Sequence, residues 1–274
     1  MLHRGGSMRA ESPVDGISLV CPVCRGVGPD GVFRAAPLGP AGAGLGCPAC
    51  GAAFPVVDGV PIVLRDTDAW LRDELPTVLA REGLPAEVEA RLLRGGGPVA
   101  RSRARRAAYR ASGDGPFQDA ARAALAGLSG RVLELGCGTG WHGVPGFLGV
   151  DLDWILLGDY PGRRLLADAL EPPLPGAAFD AVVALNLLDS CRDPALLLQQ
   201  MDALLAPGGV LVLASPFAWD AAITPPAAWL DAASVQDFLA SRGYSGRVSE
   251  HDWVLRHGPR TRTHLATWLC VAQR

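Results

Sequence analysis

Short apolar runs alternate with amphipathic stretches through the second half of the chain, residues 128–274. Runs of strand length predict five β-strands, at 131–135, 147–150, 165–167, 181–185 and 210–214. Amphipathic segments at 195–205 and 234–242 predict helices, which glycine-containing turns at 206–209 and 243 should end. Two more strands are predicted at 246–255 and 264–272. Strands that alternate with helices in this way are typical of a parallel α/β sheet.

Two regions of different composition precede this sheet. Residues 17–66 carry two CxxC pairs, glycine- and proline-rich sequence between the pairs, and a short strand-like run at 54–64. Residues 67–127 are rich in Ala, Leu, Arg and Glu, and are interrupted by Pro76, Pro85 and a Gly-Gly-Gly-Pro sequence. These interruptions predict three short helices. We therefore expect a cysteine-bearing domain (17–66), a helical linker or cover (67–127) and an α/β domain (128–274).

Composition narrows the class of protein. The chain has 274 residues, and 49% hydrophobic with 19% charged residues is typical of a folded globular protein. The formal net charge of −3 gives no overall attraction to nucleic acid or to an anionic membrane. Residues 1–16 contain no apolar stretch of signal-peptide length, and no apolar run approaches the length of a spanning helix, so a cytoplasmic protein is expected. The absence of lysine excludes a P-loop lysine and a pyridoxal-phosphate anchor.

The first motif that carries chemistry is the pair of CxxC sequences, whose cysteines are Cys21, Cys24, Cys47 and Cys50. Two tight turns that each present two thiolates supply the four tetrahedral ligands that Zn²⁺ favours. The alternative is four unrelated buried cysteines. A site with four cysteine ligands is coordinatively closed, so a structural zinc ion is favoured over a catalytic one.

The residues that follow the second pair sharpen this prediction. Residues 54–64 read FPVVDGVPIVL and resemble the hairpin of the small zinc-ribbon proteins that activate tRNA, rRNA and protein methyltransferases. The segment is also similar to the zinc ribbon at the start of bacterial 23S rRNA guanine-N1 methyltransferases. The resemblance implies a module that stabilises the protein or presents its substrate, and an RNA or protein partner that binds through the ribbon.

The second motif is a strand that runs into a glycine-rich turn, residues 132–140, VLELGCGTG. Glycine at Gly136, Gly138 and Gly140 allows a sharp bend and close approach of a ligand. The nicotinamide fingerprint G-x-G-x-x-G is the alternative, but its third glycine position is occupied by Trp141. The motif closely resembles that of the class I methyltransferases that use S-adenosylmethionine (SAM).

The resemblance implies a Rossmann-like class I methyltransferase sheet and a set of SAM-binding residues in chain order. The acidic residue before the loop would hold the amino group of SAM, the loop would approach its methionine part, and later acids would bind its ribose and adenine. One further residue at the end of the fourth strand would lie beside the sulfonium. In this order the residues are Glu134; Gly136, Cys137, Gly138 and Gly140; Asp151; Asp168 with Ala169; and Asn186.

The chain departs from the family pattern in its first two crossovers. Residues 141–146, with Gly143, Pro145 and Gly146, are too few for a regular helix, and residues 152–164 are also short. We expect short or irregular crossovers and an exposed cofactor edge. Without a helix N-terminus beside the glycine loop, the amide field at the loop is weaker. A non-catalytic scaffold is therefore an alternative to an enzyme.

No side chain stands out as a catalytic base. The weak candidates are Tyr109, Asp189 and His251, for which a packing residue, a helix N-cap and a surface histidine are the respective alternatives. His142 and His257 are likewise favoured as surface histidines. Methyl transfer needs a base only for weakly acidic acceptors, because the protein chiefly positions donor and nucleophile.

The sequence does not decide whether the methyl acceptor is a small molecule, RNA or protein. The fourth strand ends in ALNLLDS instead of an NPPY-type loop, which favours a small molecule, whereas the ribbon favours RNA or protein. The arginine-rich segment 101–110 could contact phosphates, but its arginines surround the helix, which favours a solvated face. Trp219 and Trp229 follow the fifth strand and predict an aromatic acceptor lid. We predict a SAM-dependent methyltransferase with a small-molecule acceptor slightly favoured, and an RNA-binding partner protein as another alternative.

Overall fold

The computed structural model describes Val14 and residues 16–27, 33–80 and 84–274. The expectation about a signal peptide in residues 1–16 therefore lies almost entirely outside the described residues. Among the helices in the described part of the chain, none combines the length and apolar character that a membrane crossing needs.

Short antiparallel strands form the N-terminal cysteine-bearing region. Strand β1 pairs with β2, β3–β4–β5 form a three-stranded sheet, and β6 pairs with β7 in the FPVVDGVP hairpin. The bounds are β1 Gly26–Val27, β2 Phe33–Arg34, β3 Gly39–Ala41, β4 Gly44–Gly46, β5 Ala53–Phe54, β6 Val56–Val57 and β7 Val60–Pro61.

The described part of the middle region, residues 67–80 and 84–127, forms four α-helices, so the expectation of three is wrong. They are α1 Thr67–Leu79, α2 Ala86–Leu93, α3 Pro98–Ala111 and α4 Pro116–Ala126. Pro76 lies inside α1 and removes one hydrogen bond without ending the helix. The unexpected break falls between α3 and α4, where Gly115 is extended and Pro116 occupies the first turn of α4, a position that suits its fixed φ.

A seven-stranded sheet forms the centre of the molecule, in the order β10-β9-β8-β11-β12-β14-β13. The first five are parallel, and β14 and β13 are antiparallel additions at one side. The strands are β8 Val132–Leu135, β9 Leu148–Asp151, β10 Arg163–Leu166, β11 Phe179–Leu185, β12 Leu205–Ser215, β13 Ser245–Arg256 and β14 Arg262–Gln273, and the helices are α5 Trp154–Leu157, α6 Pro194–Leu204 and α7 Ala232–Ser241. The predicted Rossmann-like sheet is confirmed.

Strand β12 begins earlier than expected, because its first residues pair across a bulge. Phe179 pairs with Leu205, whereas Ala181 pairs with Val210, so residues 206–209 are absorbed as an irregularity in the strand. The predicted turn at these residues is therefore part of β12.

The short crossovers are confirmed. Residues 136–147 form turns between β8 and β9, and Gly143 and Gly146 have positive φ angles of 70° and 89° that a right-handed helix excludes. Between β9 and β10 lies only α5, a single turn whose first amides are capped by the Asp153 carboxylate.

The cysteine-bearing region covers the exposed edge of β10. Ile62 forms a parallel bridge with Leu166, and the Val63 N–H donates to the Leu166 carbonyl at 2.9 Å. Val63 and Phe54 belong to the same buried core as residues of the large sheet. Covering an edge strand satisfies its backbone groups and protects it from pairing with other chains. The boundaries at 66/67 and 127/128 stay predictions.

Candidate active site and cysteine cluster

A cleft of about 470 Å³ opens at the carboxyl ends of β8, β9, β10 and β11, where ligands bind in open α/β sheets. Helices α1 and α3 contribute its other wall. The residues that line it include Glu134, Gly136, Cys137, Gly138, Asp151, Asp168, Ala169 and Asn186 from the sheet side, and Glu74, Arg101, Arg105 and Tyr109 from the helices. All the predicted SAM-binding residues except Gly140 therefore meet at one cleft.

The three glycines of the loop serve different purposes. All have positive φ, 65° at Gly136, 53° at Gly138 and 59° at Gly140. A Cβ at Gly136 would lie 2.7 Å from the Leu187 side chain, and one at Gly140 would lie 2.6 Å from Pro161, so both are required by packing. A Cβ at Gly138 would meet only the Tyr109 ring, at 3.8 Å. Gly138 is thus the glycine whose missing side chain leaves room in the cleft.

Asp151 ends β9 with its carboxylate at the cleft. Its Oδ2 accepts the Gly138 N–H at 2.8 Å and its Oδ1 accepts the Asp153 N–H at 2.8 Å. Burial raises the pKa of Asp151 to about 6. Each oxygen retains one free lone pair, so the carboxylate can accept two further hydrogen bonds from a cis-diol.

Asp168 follows β10, and each of its two carboxylate oxygens has a partner within the protein. Its Oδ1 accepts the Leu170 N–H at 2.8 Å, and its Oδ2 pairs with Arg192 at 2.7 Å. Arg192 also lines the cleft. Sequence reasoning missed Arg192, since it lies after the fourth strand and no local motif marks it.

Asn186 ends β11 in a backbone conformation that residues other than glycine rarely adopt, with φ at 58°. Its side chain lines the cleft, and its Oδ1 atom is buried without a hydrogen-bond partner among the described residues. Strained backbone and an unsatisfied buried acceptor are both costly, and they occur preferentially at functional sites.

Glu134 and His142 form a buried pair behind the glycine loop. Glu134 Oε2 lies 2.8 Å from His142 Nε2, and the side chains are 2% and 0% exposed. The interpretation of His142 as a surface histidine is wrong, because the turn that replaces the crossover helix folds its ring inward.

The three weak catalytic candidates lie in different places. Tyr109 lines the cleft from α3, which is separated from β8 by α4, and burial raises the pKa of its phenol. Asp189 is buried in a 3-10 turn, where its Oδ2 accepts the Ala218 N–H at 2.8 Å. His251 lies on β13 and contacts Ser249 Oγ at 2.9 Å. Neither Asp189 nor His251 is among the described residues that line the cleft. His257 contacts Thr263 at the surface, as expected.

The arginines of α3 bind acidic groups of the protein itself. Arg106 and Arg110 pair with Asp159 at 2.7 Å and 2.9 Å, and Arg105 lies 3.5 Å from Asp153. These pairs join α3 to the segment around α5. The arginine pattern in the sequence therefore reflects helix packing more than a face prepared for phosphates.

Trp219 and Trp229, the residues of the predicted aromatic lid, are not among the described residues that line the cleft. Trp219 and Trp229 stack on each other, with ring centroids 6.2 Å apart and planes within 11°. From their segment, Ile223 is the residue that lines the cleft. Trp141 and Trp253 supply aromatic surface there instead. No local motif marks Trp253, which reaches the cleft from the antiparallel strand β13.

The four cysteines of the two CxxC pairs meet in one cluster. Their sulfur atoms all lie within 4.8 Å of one another, with Cys21 to Cys50 at 3.8 Å and Cys24 to Cys47 at 3.7 Å. Tetrahedral zinc with bonds of about 2.3 Å places its sulfur ligands about 3.8 Å apart. The cluster therefore has the dimensions of a closed tetrahedral zinc site.

A family model described as a methyltransferase domain matches residues 102–256, more than half of the chain. The chain belongs to this methyltransferase family. A second model, described as Trm112p-like protein, matches residues 19–59 of the methyltransferase, the cysteine-bearing region. The alternatives of a nicotinamide-binding domain and of four unrelated cysteines are thereby set aside. No curated protein matches the chain.

The methyltransferase is also similar to several solved structures. A complex of the Haloferax volcanii Trm112 methyltransferase activator with a putative methyltransferase has 16% identity and a TM-score of 0.43, over 56% of this chain and 88% of that chain. A SAM-dependent methyltransferase from Mesorhizobium loti has 19% identity and a TM-score of 0.40, over 56% of this chain and 96% of that chain. Family membership rests on the match over residues 102–256 and not on these likenesses.

Proposed function

We propose that the cleft binds SAM and that the enzyme transfers its methyl group to a small-molecule acceptor. The observation that carries the proposal is the junction of Gly138 and Asp151. Gly138 leaves space in the cleft, and its N–H orients a carboxylate that retains free lone pairs there. A glycine that faces a cavity beside a buried, partly satisfied acid is the arrangement that a ribose with adjacent methionine chain requires.

The remaining residues supply complementary contacts along the same cleft. Glu134 would bind the amino group of the methionine part, and Asp168 with Ala169 would bind the adenine, at the edge that Arg192 closes. When bound, SAM would supply a methyl group activated by its sulfonium charge. The chain's own contribution is to orient the acceptor and exclude water, for which Trp141, Trp253 and Tyr109 provide aromatic surface.

The acceptor is proposed to carry an N–H or O–H group. Asn186 lines the cleft, and its side-chain amide would orient such a group through a hydrogen bond. Tyr109 stays protonated at neutral pH because burial raises its pKa, and it can donate a hydrogen bond from the opposite wall. A small molecule is favoured over RNA because Arg105, Arg106 and Arg110 of α3 are paired with Asp153 and Asp159.

The cysteine-bearing region, residues 17–66, is called the ribbon here. It is proposed to hold a structural zinc ion and to stabilise the SAM site. Ile62 and Val63 lie along Leu166, two residues before Asp168, and Arg65 pairs with Glu171 at 3.0 Å just after it. The ribbon thus contacts the chain both before and after Asp168, the residue proposed to bind the adenine. The partner of the ribbon would be the methyltransferase sheet of its own chain, with an RNA or protein partner as the alternative.

The acceptor class is tested by incubating the enzyme with extract and SAM that carries a labelled methyl group. Label is expected in the small-molecule fraction with the wild-type protein and absent with Gly138→Val. Label in RNA or protein, at a level that depends on intact Gly138, would contradict the small-molecule proposal and favour the ribbon-directed alternative.

The affinity for SAM should depend on pH through Asp151. The pKa of this acid is raised to about 6, so the carboxylate takes up a proton as the pH falls through that value and can no longer accept two ribose hydroxyls. The dissociation constant should be constant above about pH 7 and rise about tenfold for each pH unit below the pKa. Calorimetric titration across this range measures it. Asp151→Asn is the control and should bind weakly with a flat profile, whereas a flat wild-type profile would contradict the assignment.

A further inference from the structure

His142 lies outside the set of residues that touch the proposed SAM site, yet it is the partner of one of them. Its Nε2 is 2.8 Å from Glu134 Oε2, and both side chains are essentially inaccessible to solvent. Glu134 lines the cleft, so its carboxylate connects the buried histidine with the space that a ligand would occupy.

The backbone sets the tautomer of His142. Its Nδ1 accepts the Val144 N–H at 3.0 Å, and a nitrogen that accepts a hydrogen bond carries no proton. The ring proton is therefore on Nε2, which donates to Glu134. A donor fixed in this way holds Oε2 and limits rotation of the Glu134 carboxylate.

The ring is also held in place by aromatic neighbours. The rings of Trp141, Phe147 and Tyr160 lie with centroids 5.9, 5.8 and 6.3 Å from that of His142. Residues 141–147 form the turn that stands where a crossover helix was expected. The turn thus supplies a rigid, buried donor to the carboxylate at the end of β8.

We propose that His142 is a positioning residue, whose Nε2–H orients the Glu134 carboxylate towards the amino group of the methionine part of SAM. The inference rests on the proposed SAM site. The short turn between β8 and β9 would then contribute to cofactor recognition through His142. A longer helix would instead contribute through the partial positive charge of its N-terminal N–H groups.

Two ligands separate positioning from simple packing. S-adenosylhomocysteine carries the amino acid part, whereas 5′-methylthioadenosine shares the adenosine and thioether and lacks it. A residue that acts through Glu134 should matter for the first ligand alone. A residue that merely supports the fold should affect both ligands equally.

The test compares His142→Phe with His142→Gln by calorimetric titration of both ligands. In His142→Phe the affinity for S-adenosylhomocysteine should fall by about tenfold or more, the range for a lost hydrogen bond to a charged group, with little change for methylthioadenosine. His142→Gln keeps an N–H donor and should recover most of the loss. Phe147→Leu disturbs the packing around the ring and leaves the hydrogen bond, so it should not discriminate between the ligands.

Glu134→Gln provides a second measurement that stays informative if His142→Phe does not fold. It should show the same selective loss, and adding His142→Phe to it should cause no further loss. Equal loss of both ligands in His142→Phe, or additive losses in the double variant, would overturn the positioning role. If the wild-type protein binds neither ligand, the SAM site itself fails; if it binds both and His142→Phe does not discriminate, only the role of His142 fails.

Discussion

Gly138→Val should abolish SAM binding while the protein remains folded. The backbone of Gly138 has φ at 53°, and a Cβ there projects into the cleft with its nearest neighbour, the Tyr109 ring, at 3.8 Å. Two further methyl groups would occupy the space beside Asp151 that the ligand needs. The left-handed backbone adds about 1–2 kcal/mol of strain, which lowers stability without unfolding a domain of this size. Calorimetric titration and thermal unfolding measure the two effects separately.

Gly243→Val is the matched control for this variant. Gly243 lies between α7 and β13 with φ at 81°, and a Cβ there would meet nothing within 4 Å, so the substitution carries the same kind of backbone strain and fills no cleft. It should lose a similar amount of stability and still bind SAM. Binding by Gly138→Val, or equal loss of binding in both variants, would contradict the assignment of Gly138 to the cofactor cleft.

Cys47→Ser should release zinc and unfold the ribbon, residues 17–66, while the large sheet stays largely folded. Serine supplies no thiolate, so the remaining three cysteines cannot close the tetrahedral site. Zinc binding contributes on the order of 10 kcal/mol to the folding of small zinc domains, so the loss of one ligand is a large perturbation. Metal analysis measures the zinc content, and thermal unfolding should show an added transition at lower temperature. Because the ribbon covers β10 beside Asp168, affinity for SAM should also fall.

Cys270→Ser is the control for a buried cysteine outside the cluster. Cys270 lies on β14 and is 3% exposed, so the substitution perturbs the core but should leave the zinc content unchanged. Unchanged zinc in Cys47→Ser would contradict the cluster as the metal site. Unfolding of the whole protein would contradict the boundary at residue 66 and show that the shared core joins ribbon and sheet into one cooperative unit.

Most of the parallel strands were predictable because each is a short apolar run with a clear break on either side, whereas β10 begins with Arg163 and Arg164, two residues before its predicted start. The runs at β8, β9 and β11 are buried on both faces, so their composition alone indicates them. The break between α3 and α4 was missed, since Ser112 to Gly115 resembles any polar stretch within a helical region. The bulge in β12 was also missed, because strand register depends on a partner that is distant in sequence.

The candidate site likewise contains residues that could be predicted from the sequence and residues that could not. Asp151 and Asp168 were predicted from the resemblance to class I methyltransferases, and they lie at the carboxyl ends of the neighbouring parallel strands β9 and β10, which meet at one edge of the sheet. Arg192, Trp253 and Glu74 reach the cleft from segments that carry no motif, so only the folded chain brings them there. The burial of His142 depends on the conformation of the turn between β8 and β9. Gly143 and Gly146 permit this conformation, but glycine also permits many others. Trp219 and Trp229 were expected at the cleft, yet their rings stack on each other outside it.

Titration of the wild-type protein with SAM is the most direct test of cofactor binding by the cleft. We expect saturable one-to-one binding with a dissociation constant well below about 1 mM, weakened below about pH 6 and absent in Gly138→Val. The shortened crossovers would then be compatible with cofactor binding, with His142 and Asp151 providing the rigidity that longer helices would otherwise supply. Absence of binding at millimolar SAM, with the protein folded and its zinc retained, would contradict the account and favour a scaffold without catalytic activity.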